Sequence, residues 1–117
     1  MSEKSPARVV SLDAAKFTPR FQYGHMAEGA PVSGPEDGTK LGSGYVRLMQ
    51  AEIPWTIKYD EVVLVLEGEL IVRTADGTLK AGPQDCLWLP NGTELTYVAE
   101  NALVFFAIEP ADWAQEG

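Results

Sequence analysis

The chain has 117 residues, 45% of them apolar, which suits one globular domain around one core and is too short for two. Its net charge of −8, from 17 acidic against 9 basic residues, repels nucleic acid, anionic membrane surfaces and polyphosphates. Apolar runs such as Val62 to Leu66 are far too short to span a bilayer, and the N-terminal "MSEKSPARVVSLD" lacks the apolar stretch of an export signal, so a cytoplasmic protein is expected.

In chain order, residues 1–40 read as a lead-in packed on the body. "VVSLDAAKF" suggests a short strand and a helical turn, and the Gly/Pro-rich "EGAPVSGPEDGTKLGSG" a loop lying over one end. Residues 41–117 read as the core of a barrel. "GYVRLMQA" alternates loosely as a strand, and "EVVLVL" is apolar enough for a strand buried on both faces or nearly so. "EGE" turns it into "LIVRTA", and the Asp-Gly pair at 76–77 marks a tight hairpin into "TLKAG". "GPQD" is the next turn, before the strand "CLWLP", whose Cys86 is expected to be a buried structural thiol; as the sole cysteine it excludes an internal disulfide. After the Asn-Gly turn at 91–92, "TELTYVA" and "ALVFFAI" read as a last pair joined at "EN". "PADWAQE" fits one helical turn with Trp113 packed back on the body. Short strands at regular spacing with Gly, Pro and Asn-Gly turns predict an all-β sandwich or barrel.

Glu61 and Gly68 match the acid and the closing glycine of the first cupin motif, and Asp85, Pro90 and Gly92 match the second, with Gln84 in place of its glycine. The chain therefore resembles the cupin superfamily, which implies a small jelly-roll barrel, here a single domain with a short N-terminal lead-in and a C-terminal helical turn. "PWTIKYDEVVLVLEGELIVR", "AGPQD", "LWLPNGTEL" and "PADW" together resemble the cupin domain of the ethanolamine-utilization EutQ family over roughly residues 36–113. That family carries a long extension before its cupin where this chain has a short lead-in, so the resemblance alone leaves a microcompartment role open. The resemblance also implies that the three cupin histidine positions fall on Trp55, Ile57 and Leu95.

Neither an indole nor a branched aliphatic ligates a metal, and one carboxylate is not a site. His25, the only histidine, is more often a surface or packing residue in such a setting. No metal and no cofactor are therefore expected. Side chains at positions i, i+2 and i+4 of a strand share a face, which brings Trp55, Ile57 and Tyr59 inward with Glu61. A carboxyl among apolar and aromatic groups is poorly solvated, its pKa rises, and it becomes usable near neutral pH. Glu61 and Tyr59 are thus the candidate catalytic pair. Trp55, Tyr45, Arg47, Trp88, Ile57 and Leu95 are the candidate ligand-binding wall of a largely apolar pocket with a few polar groups. The bland alternative is that Glu61 is a structural acid bonded to backbone or Tyr59, with Trp55 and Trp88 as core filler.

No phosphate-cradling glycine motif and no Cys-His or Ser-His-Asp pattern is present. The leading expectation is a metal-independent cupin that binds a small carboxylate- or amine-bearing metabolite, with Glu61 as general acid or base. The resemblance implies a second, an acetate-kinase-like phosphotransferase, for which Arg47, Lys40 and Lys58 are the candidate cations. The third is a non-catalytic dimeric scaffold or sensor. A homodimer is expected under all three, because "VVLVL" and "LVFFAI" exceed what one barrel interior needs. No nucleic-acid or membrane partner is expected.

Overall fold

The computed structural model describes residues 4–20 and 23–115. Its strands are β1 (Thr18–Pro19), β2 (Ala27–Ser33), β3 (Gly42–Thr56), β4 (Asp60–Gly68), β5 (Leu70–Thr74), β6 (Gly77–Ala81), β7 (Cys86–Leu89) and β8 (Glu94–Glu109). Short 3-10 helices lie at Pro35–Asp37 and Trp113–Gln115. No helix among the described residues is long and apolar enough to cross a membrane.

The strands form one antiparallel sheet wrapped into a jelly-roll barrel, and β8 is its spine. One edge of β8 pairs with β3 along its whole length, from Gly42↔Ile108 to Thr56↔Glu94. Its other edge is shared: the C-terminal half takes β4 (Asp60↔Glu109 to Gly68↔Ala102), the N-terminal half takes β5 (Ile71↔Val98 to Thr74↔Leu95). β2 extends the sheet beyond β3, and β7 lies outside β4.

The pleat explains the core. From Ile53 to Val65 every odd residue except half-buried Trp55 is buried, Ile57 and Val65 completely so, and Pro54, Thr56, Lys58, Asp60 and Val62 are exposed. "EVVLVL" is therefore not buried on both faces: Val62 is 45% exposed. The same phase runs through β7, where Leu87 and Leu89 point in and Cys86 and Trp88 point out, so Cys86 is exposed rather than buried.

Three further expectations are corrected. The start of the supposed loop, Ala27–Ser33, is a strand, because Ala27, Gly29 and Ala30 are small enough to lie buried beside β3. "VVS" is not a strand, although a turn does follow it at 12–14. "EN" is no turn, since Glu100 and Asn101 lie inside the 16-residue strand β8.

Candidate ligand pocket

The barrel holds a half-open cavity of about 110 Å³. Trp55 reaches it from the end of β3, Tyr59 from the link to β4, and Glu61 from β4 itself. Tyr97 comes from β8, Arg20 from just beyond β1, and Trp113 from the C-terminal turn. Glu61 sits opposite Ile108 in the register while Tyr97 sits opposite Ile53, so the two meet across the interior rather than along one ladder.

Tyr97 donates its hydroxyl proton to Glu61 Oε1 at 2.8 Å. Glu61 is only 7% exposed, and burial lifts its carboxyl from an ordinary 4.5 to about 7; the Tyr97 hydrogen bond and the Arg20 charge pull less strongly the other way. The Trp55 indole N–H donates to the Tyr59 hydroxyl at 3.2 Å. Burial, then the Glu61 charge, pushes the Tyr59 phenol up to about 12, and the same two causes push Tyr97 up as well. Both tyrosines therefore stay protonated as hydrogen-bond donors at neutral pH. The Trp113 ring closes the group, edge-on to Trp55 with centroids 5.7 Å apart and tilted on Tyr59 at 5.4 Å. The Arg20 guanidinium lies 5.5 Å from the Phe106 ring centroid in the same wall.

Glu61, Tyr59 and Trp55 thus face one cavity rather than filling it. The other residues that the sequence nominates lie elsewhere. Ile57 and Leu95 are buried in the core without lining the cavity. Tyr45 points outward, its hydroxyl donating to the Val10 carbonyl at 3.2 Å and its ring edge-on to Phe105. Arg47 is exposed over the Phe17 ring, because Val46 and Leu48 take the inward pleat of this part of β3. Trp88 is 60% exposed on the outer face. Lys40 and Lys58 are also exposed, and the cation that lines the cavity is instead Arg20. Arg20 has no sequence signal. Tyr97 had one: it stands two residues from inward Leu95 in the same strand.

The metal of histidine-bearing cupins does not fit these residues. Trp55, Ile57 and Leu95 offer no donor, His25 is exposed and does not line the cavity, and no three His, Cys, Asp or Glu side chains converge among the described residues.

The family model described as ethanolamine utilisation protein EutQ matches residues 26–115. The chain belongs to the EutQ family. It is 34% identical over 79 residues to the acetate kinase EutQ of Escherichia coli (strain K12), covering 67% of this chain and 34% of that protein. The acetate kinase EutQ of Clostridioides difficile (strain 630) is 27% identical over 82 residues, with 69% and 52% covered. This EutQ-family chain therefore spans between a third and about half of the length of these relatives. Among solved structures, ethanolamine utilization protein Q of Salmonella typhimurium LT2 superposes with a TM-score of 0.82 at 28% identity, covering 90% of this chain and 87% of that one. An RmlC-like cupin from Shewanella frigidimarina, at 13% identity and a TM-score of 0.73 over 91% and 93%, shares the fold.

Proposed function

We propose that this EutQ-family cupin binds a small carboxylate- or amine-bearing metabolite in the Glu61 cavity without a resident transition metal, Glu61 acting as general acid or base. One observation carries the reading: a carboxyl 7% exposed, in an aromatic cavity, whose hydrogen bond comes from Tyr97 at 2.8 Å. An acid is costly in such a place, and a carboxyl held at about 7 exchanges a proton readily at neutral pH. Tyr59 supplies a donor for a ligand oxygen, Tyr97 holds Glu61 in place through its own hydrogen bond, and the Arg20 charge favours an anion.

Chemical-shift titration with acetate, propionate and ethanolamine tests this. Glu61→Gln is expected to keep the fold, to abolish binding of an ammonium and to remove the pH dependence of carboxylate binding, and a variant unaffected in both respects overturns the reading. The pH dependence names the ligand class. A carboxylate binds to protonated Glu61, so its affinity falls as pH rises through about 7, whereas an ammonium binds to the ionised form and gains over the same range.

A second reading, acetate kinase, is favoured by the activity for which the relatives are named and by a cavity of acetate-like size. In it an acetate oxygen attacks the γ-phosphorus of ATP and the bond to ADP breaks, and the absence of ATP- and Mg-dependent acetyl phosphate formation removes it. We also propose a cytoplasmic homodimer, supported by the apolar outer face around Val62 and Trp88.

A further inference from the structure

Trp113 belongs to two cavities at once. On one side its ring closes the Glu61 cavity against Trp55 and Tyr59. On the other it lines a larger, open cavity of about 550 Å³, to which β2 contributes Gly29, Ala30, Pro31 and Ser33. Arg20, Phe106 and Ile108 are also common to both. The Glu61 cavity, about 110 Å³, is small. In proportion to an apolar cavity of about 150 Å³ that holds benzene, it takes about four non-hydrogen atoms. A compact polar molecule fits there, and the Trp113 ring stands on the side shared with the larger cavity.

The support of that ring differs from the rest of the wall. Trp55, Glu61, Tyr97, Phe106 and Ile108 stand on the long strands β3, β4 and β8. Trp113 stands on a three-residue 3-10 helix, reached through a turn whose Ala111 N–H donates to the Lys40 carbonyl at 2.7 Å. Of the four side chains that line both cavities, Trp113 is the one carried on a short helix outside the sheet.

We propose that Trp113 is the specificity-determining wall of this pocket: its ring limits the occupant to about four non-hydrogen atoms, and removing the ring joins the two cavities into one site for a linear carboxylate or amine of longer chain. Phe106 and Ile108, which line both cavities, then flank the apolar tail while the polar head stays at Glu61 and Tyr97. The inference rests on the reading that the Glu61 cavity binds a ligand.

The test compares wild type, Trp113→Ala and Trp113→Phe by chemical-shift titration with acetate, butyrate and hexanoate, and with ethylamine, butylamine and hexylamine. Wild type is expected to prefer the shortest member of the series it binds. Trp113→Ala is expected to bind the six-carbon member at least about tenfold more tightly than wild type does, the gain that two further buried methylenes provide, with Trp113→Phe between. A ratio of short- to long-chain affinity that is unchanged in a folded variant overturns the role of Trp113 and leaves the Glu61 reading standing. If Trp113→Ala loses its far-ultraviolet circular dichroism, the ratio in Trp113→Phe decides alone. Failure of every protein to bind any of the six probes removes the Glu61 reading, and this inference with it.

Discussion

Glu61 links the pocket to the stability of the fold. Its carboxyl titrates at about 7 in the folded chain against an ordinary 4.5, so between those values the folded chain keeps a proton that the unfolded chain has released. The contribution of this group to stability is therefore fully present below about 4.5, falls as pH rises, and levels off above about 7, a change of roughly 3 kcal/mol. Asp37 acts in the opposite sense and in another range. The hydrogen bond from Arg8 holds its carboxyl down at about 2, and the stabilisation it gives is lost only as pH falls below the ordinary 3.8. Urea midpoints at pH 5 and pH 8 separate the two. Wild type is expected to lose roughly 2–3 kcal/mol relative to Glu61→Gln across that interval, and a difference that does not change with pH would refute the burial of an ionisable Glu61.

At the scale of the element, the turn from β4 to β5 depends on one glycine. Gly68 has φ +79, and a Cβ there would run into the Asn101 carbonyl oxygen, a backbone atom in the middle of β8. Gly68→Ala is expected to cost more than about 2 kcal/mol in a urea titration, through the left-handed backbone and the clash together; a loss under about half of that would show that the turn relaxes. The neighbouring stretch shows what is legible in sequence. Alternation from Ile53 to Val65 placed Trp55, Tyr59 and Glu61 on one face because the inward phase is kept across the bend that links β3 to β4. β3 and β8 each change phase midway. Val46 and Leu48 line the cavity before Gln50, which has φ +42, and Ile53 and Trp55 line it after. On β8, Tyr97 lines it before Glu100–Asn101, and Val104, Phe106 and Ile108 after. That change comes from two long strands staying paired while they bend around the barrel, which local patterning does not encode. It is why "EN" resembles a turn and why Tyr45 and Arg47 fall on the outside. Arg20 and Trp113 reach the pocket from outside the long strands, and only the folded chain brings them to Glu61.

For the whole molecule, the outer face decides how an acidic chain meets another copy of itself. Cross-strand neighbours share a face, so the register lines up Trp88, Val62 and Ala107 in one row and Cys86, Leu64, Phe105 and Tyr45 in the next. At the far side of this band Val10 accepts the Tyr45 hydrogen bond, while Val9 is 92% exposed. Toward β7 the band has no cover among the described residues: Trp88 is 60% exposed and Val62 45%. A net charge of −8 opposes self-association, so a dimer needs an apolar patch at its centre, with its charges kept to the rim. This band is the one we propose for the homodimer. Sedimentation equilibrium is expected to give twice the 12.7 kDa of the chain for wild type. Trp88→Glu places a charge at the centre of the contact without disturbing the core, and is expected to return the mass to that of a single chain with the urea midpoint of the dissociated protein unchanged. A monomeric wild type, or a Trp88→Glu variant that still dimerises, would move the contact away from this face.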